Sequence, residues 1–289
     1  MGCLNYNDSK FFKIHPTNKH ISGRLPVVSC RSSIKMKQIP NLFTLLNLFA
    51  GCLAIVFALQ TNSVIIYLNE QYVSSFNIPE KLSWASICII IAAVIDFLDG
   101  FVARLLKATS EMGKQLDSLS DVVSFGVAPS VILYQLLRFS FAREENGLEV
   151  SIIWLLPAFI LACAAAYRLA KFNLATDQKY SFKGVPVPAV GLLIASFPLI
   201  LHFNFIPAVN NIIISKWFLY FSIVVLSYLM VSNLRMLALK FADYKLKNNL
   251  SKLILLIVAI VAALFLQWIA VPVVFIFYIL LSLTQKKVE

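Results

Sequence analysis

The chain has 289 residues, 60% of them hydrophobic, and only 13% charged, against about 25% in a soluble globular domain. At a mean hydropathy of +0.81 there is too little polar surface to cover a globule, which excludes a soluble fold and leaves an all-α bundle of membrane-crossing helices. The net charge of +11 comes from basic residues that flank apolar segments; topology and anionic lipid headgroups explain it, and a nucleic-acid partner is not expected.

Residues 1–38 are polar and basic and lack the apolar core of a signal peptide, so they read as a cytoplasmic tail. Met1-Gly2-Cys3 opens like an acylation signal, but Tyr6 stands where that pattern needs Ser or Thr. Apolar runs then recur along the chain. The predicted spans are Asn41 to Gln60, Ser83 to Leu106, Leu119 to Leu137, Ser151 to Tyr167, Pro186 to Phe205, Trp217 to Asn233, Leu253 to Trp268 and Val271 to Leu283. Most are close to the roughly 20 residues needed to cross about 30 Å of hydrocarbon. The last two are short and nearly abut, so a hairpin or a single re-entrant element is an alternative to two crossings. This divides the chain into a tail (1–38), a membrane core (39–240) and a C-terminal hairpin with a short basic end (241–289).

Orientation follows from Lys and Arg, which are retained on the cytoplasmic side. With the N-terminus inside and eight spans, only Lys81, Arg138, Arg143 and Lys216 fall outside, leaving 25 − 4 = 21 inside. Both termini are therefore expected in the cytoplasm. The outer loops carry Glu70, Glu80, Glu144, Glu145 and Glu149 instead. The five cysteines show neither paired nor metal-ligand spacing, and the three histidines are scattered, so no disulfide framework or zinc site is implied.

The chemistry concentrates in IDFLDGFVARLLKATSEMGKQLDSLSD, from Ile95 to Asp121. Asp96, Asp99, Gly100, Ala103 and Arg104 fall within an arc roughly 140° wide at 100° per residue. Gly113, Asp117 and Asp121 repeat every four residues and form a second stripe. Thr109, Ser110 and Glu111 between them resemble a helix start, so the two stripes belong to a helical hairpin turning in the cytoplasm. Four carboxylates facing one another at a membrane surface repel strongly unless cations fill the space. All-oxygen ligands suit Mg²⁺ or Mn²⁺, and two such ions could clamp a diphosphate.

The same residues carry a family resemblance. The pattern D-G-x-x-A-R, eight residues, G, three residues, D, three residues, D is that of the CDP-alcohol phosphatidyltransferases. Here it reads Asp99, Gly100, Ala103, Arg104, Gly113, Asp117, Asp121, with Asp96 as the upstream aspartate of the longer form. Ile39 to Leu59, Asp121 to Ser130, Arg168 to Asn173 and Gly184 to Ala189 further resemble the serine-using branch of that family. The resemblance implies a homodimeric enzyme of a bacterial inner membrane that transfers the phosphatidyl group of CDP-diacylglycerol to L-serine and releases CMP. It implies metal ligation by Asp96, Asp99, Asp117 and Asp121, with Asp121 also the general base, and CDP binding at Gly100, Ala103, Arg104 and Gly113.

Serine is a zwitterion, so its pocket should offer a cation to the carboxylate. Arg168, Lys171, Asn173 and Lys183 are the candidates, at the cytoplasmic ends of the fourth and fifth spans, with Ser232, Asn233 and Arg235 as weaker ones. Two alternatives stay open on the sequence: a sister transferase using glycerol 3-phosphate, inositol or choline, and a cation or proton transporter with intramembrane aspartates.

Overall fold

The computed structural model describes residues 29–60, 80–106, 110–143, 150–174, 182–203, 206–236 and 246–284, without the side chains of 29–39, 182–183, 235 and 246–251. Most of the basic tail, the loop bearing Glu70, and Thr109 lie outside the described residues. The elements are α1 (Ser29–Leu59), α2 (Glu80–Leu105), α3 (Glu111–Asp121), a π-helical segment (Val122–Val127) and α4 (Ala128–Ala142). Two 3₁₀ turns and α5 (Ile160–Leu174), β1 (Phe182–Lys183), α6 (Val187–Phe203), α7 (Pro207–Ile214), α8 (Lys216–Val231) and β2 (Arg235–Met236) follow. Helices α9 (Leu246–Leu266) and α10 (Ala270–Thr284) close the chain.

Each predicted span coincides with helix, and among the described residues the fold is all-α apart from one two-residue antiparallel pair, Phe182 with Met236 and Lys183 with Arg235. By length and composition five helical runs can cross a membrane, or six when α7 and α8, bent by 65° at their junction, are taken as one. This is fewer than eight because α6 has only 17 residues and residues 252–284 form one 33-residue apolar helical run. That run is broken at a 3₁₀ turn, Gln267–Ile269, where Gln267 has a φ of 48°, a left-handed conformation that ends a helix. Trp268 stacks on Phe203 at the end of α6, whereas α10 packs along α6 and meets β2, the partner of the strand just before α6 begins. Helix α10 therefore runs antiparallel to α6.

The continuous run from α3 through the π segment to α4 is the centre of the bundle: 67% of its most apolar stretch is buried, against 17% for the α9–α10 run. The π turn opens immediately after Asp121. Ser120 donates to the Thr44 carbonyl (3.1 Å) and Ser124 to the Asn47 carbonyl (3.0 Å), tying this run to α1. Such close approach needs small residues. A Cβ on Gly51 would stand 2.4 Å from Ser124 Oγ and 2.8 Å from its Cα, and a Cβ on Gly191 of α6 would stand 3.0 Å from Phe125 Cβ. Small residues let helices pack and hydrogen-bond where lipid offers no hydrophobic drive.

Candidate active site

Ser110 begins α3 as its N-cap, accepting a hydrogen bond from the Gly113 N–H at 3.0 Å. This is the helix start expected from the sequence, and it sets the register in which Asp117 meets Asp96 and Asp99 of α2. Asp96, Asp99 and Asp117 each offer a carboxylate oxygen within 4.8 Å of the others. Asp121, one helical turn after Asp117, lies beside Asp96 and accepts a hydrogen bond from Asn47. Carboxyl groups this close need a shared proton or an intervening cation, since bare like charges repel at this range. Asp99 and Asp121 are buried, at 6% and 8% exposure. The donors are oxygens alone, a set that suits a hard divalent cation, and the cluster could hold a metal.

Helix α1 supplies groups to which sequence reasoning assigned no role. The Thr44 hydroxyl lies 3.0 Å from Asp99 Oδ2 and 3.1 Å from the Pro40 carbonyl, so its one proton serves either acceptor. Asn47 donates from Nδ2 to Asp121 Oδ1 at 3.4 Å, and its Oδ1 is buried without a partner. The signal was present: Asn41, Thr44 and Asn47 recur every three residues in an otherwise apolar span. Polar groups at such positions face the bundle interior.

A cleft of about 610 Å³ opens beside the aspartates. Asp99, Gly100, Ala103 and Arg104 of α2 and Gly113 and Asp117 of α3 line it, together with Asn41 and Thr44 of α1 and Lys114. All four positions expected to bind CDP therefore border one space. A side chain at Gly113 would crowd this corner, since a Cβ would stand 3.0 Å from both Asn41 Oδ1 and Ser110 Oγ and those side chains would have to give way. Arg104 is exposed and donates from Nε to the Gly100 carbonyl at 2.8 Å, which leaves its terminal N–H groups free to meet phosphate oxygens.

The acceptor candidates do not line this cleft. Arg168, Lys171 and Asn173 lie on α5, which packs against the π segment. Arg168 is buried, with Asp121 and Tyr278 the charged or ionisable groups acting on it and its Nε without a partner. Asn173 donates to the Ser118 hydroxyl at 2.8 Å, one residue from Asp117. Lys171 donates to Asn233 Oδ1 at 2.9 Å. The side chain of Lys183 lies outside the described residues.

Fold and site together define a polytopic α-helical membrane protein with a carboxylate cluster that could hold a metal ion beside a polar cleft. Residues 37–226 match the CDP-alcohol phosphatidyltransferase family, and the chain belongs to that family. It is 35% identical over 222 residues, covering 76% of this chain and 78% of the relative, to a CDP-diacylglycerol–serine O-phosphatidyltransferase of Helicobacter pylori. It is 30% identical over 200 residues, 69% of this chain and 90% of the relative, to a protein of the same name from Bacillus subtilis. An archaetidylserine synthase of Methanothermobacter thermautotrophicus is 30% identical over 161 residues, 55% of this chain and 57% of the relative.

Proposed function

We propose that this chain is a phosphatidylserine synthase, transferring the phosphatidyl group of CDP-diacylglycerol to the hydroxyl of L-serine with release of CMP. The observation that carries the reading is the convergence of Asp96, Asp99 and Asp117, with Asp121 against Asp96, at the mouth of a cleft lined by Gly100, Ala103, Arg104 and Gly113. Relatives bearing the name of that activity support serine as the acceptor.

In this reading Gly100, Ala103 and Gly113 leave room for the cytidine diphosphate to lie against backbone, and Arg104 and Lys114 meet its phosphate oxygens. Two divalent ions, Mg²⁺ or Mn²⁺, bound by the four aspartates would neutralise the diphosphate and the charge developing on the leaving group. Asp121 takes the proton of the serine hydroxyl as the new oxygen–phosphorus bond forms and the bond to CMP breaks. Asn47 holds the Asp121 carboxylate in place. Arg168 receives the serine carboxylate, with Lys171, Asn173 and Lys183 further along the same approach. Residues 39–240 form the catalytic core and 241–289 a C-terminal hairpin. The site faces the cytoplasm of a bacterial inner membrane, and the enzyme works as a homodimer.

The test is release of CMP from CDP-diacylglycerol by purified protein, with serine compared against glycerol 3-phosphate, inositol, choline and water. Stimulation by serine, with phosphatidylserine formed, is the expected result. Stimulation by another alcohol would keep the family and overturn the acceptor.

A further inference from the structure

Thr44 of α1 touches both helices that carry the aspartates. Its hydroxyl lies 3.0 Å from Asp99 Oδ2 on α2, and its carbonyl accepts a hydrogen bond at 3.1 Å from Ser120 on α3, the residue before Asp121. It is 4% exposed and borders the cleft together with Asp99, Gly100 and Asp117. A hydroxyl in an apolar helix can satisfy itself on the carbonyl four residues back, and Thr44 does reach the Pro40 carbonyl at 3.1 Å. That local bond alone would not require a carboxylate beside it.

The single hydroxyl proton has two acceptors to choose between. Hydrogen bonds to an ionised carboxylate are shorter and about twice as strong as neutral ones, so the proton goes to Asp99 whenever a cation keeps that carboxylate ionised. Asp96, Asp99 and Asp117 offer oxygens within 4.8 Å of one another, a spacing that rotation of the Asp99 side chain would lose. Asn47, one helical turn further along α1, repeats the arrangement. Its side chain donates to Asp121 Oδ1 and its carbonyl accepts from Ser124. The pairing of a side chain to an aspartate with a carbonyl to a serine is therefore a pattern of α1, and it gives the polar residues of that apolar span a purpose.

We propose that Thr44 is a positioning residue for the cation site: its hydroxyl holds the Asp99 carboxylate in place beside Asp96 and Asp117, and its carbonyl pins α3 through Ser120, so that α1 sets the separation of the two ligand-bearing helices. The inference rests on the reading of the aspartates as a cation site. Thr44 acts through Asp99 and takes no part in the chemistry itself.

The experiment measures Mn²⁺ binding to the full-length protein in phosphatidylcholine nanodiscs, read as loss of the free-ion electron paramagnetic resonance signal, for wild type, Thr44→Val, Thr44→Ser and Thr44→Ala. Thr44→Val keeps the shape and the backbone bond to Ser120 and lacks only the donor. Its Kd for Mn²⁺ is expected to rise about 10-fold, the low end of the cost of losing an outer hydrogen-bond partner of a metal ligand. Thr44→Ser keeps the donor and binds Mn²⁺ as wild type does. The Mg²⁺ concentration giving half-maximal turnover follows the same order, while the KM for serine at saturating Mg²⁺ is unchanged. Thr44→Ala also lacks the hydroxyl and decides the matter if Thr44→Val does not fold. Wild-type Mn²⁺ affinity in the variants without a hydroxyl, or an equal loss in Thr44→Ser and Thr44→Val, would overturn the inference and leave the cation site standing. A wild type that binds no Mn²⁺ would overturn the cation site, and this inference with it.

Discussion

Asp121 stands between Asp96 and Asn47 at the point where α3 passes into the π segment. Asp121→Asn preserves its shape and removes its basicity, so turnover should fall by at least about 100-fold, the low end of general-base contributions, while radiolabelled CDP-diacylglycerol still binds. Near-normal turnover would remove Asp121 from the role of base. Asn47→Ala deletes the hydrogen bond that orients that carboxylate and should lower kcat about 10-fold with little change in the KM for CDP-diacylglycerol, one hydrogen bond to a charged group being worth about 1.5–3 kcal/mol. At this scale the aspartates were legible because spacings of three and four residues place charges on one helical face, and charge in an apolar span demands a reason. Asn41, Thr44 and Asn47 went unassigned although their spacing was visible, since single neutral polar residues in a span cost little and carry a weaker signal.

The helices themselves were legible as apolar runs, and the start of α3 as Ser110 followed by Glu111. The π segment was not, because no residue type marks it. It begins directly after Asp121, and Ser120 and Ser124, on either side of that junction, both reach carbonyls of α1. A single π turn often accompanies a functional site. This packing makes Gly51 intolerant of a side chain. Gly51→Ala should destabilise the protein by about 1–3 kcal/mol, the usual cost of overpacking, read as a lower midpoint of thermal unfolding in detergent. Ser124→Ala should not restore it, because the added Cβ also meets the Ser124 Cα at 2.8 Å; full rescue would show that the helices part more easily than the structure implies. The bend between α7 and α8 and the reversal at Gln267 were equally hidden, as both depend on backbone conformation at one or two residues rather than on apolar content.

For the whole molecule, charge and chemistry agree. Arg104 and Lys114 line the cleft beside the aspartates, and an anionic nucleotide headgroup needs such cations. Accessibility of tags placed at each terminus in sealed, oriented cells should report both on the cytoplasmic side; a protected C-terminus would mean that the α9–α10 hairpin does not return. The central claim is that the facing aspartates work by holding divalent cations. Its most direct test is phosphatidylserine formation by metal-stripped protein, wild type against Asp117→Asn, before and after addition of Mg²⁺ or Mn²⁺. No product without metal, recovery in wild type and no recovery in the variant is the predicted result; full turnover in the presence of chelator would contradict it.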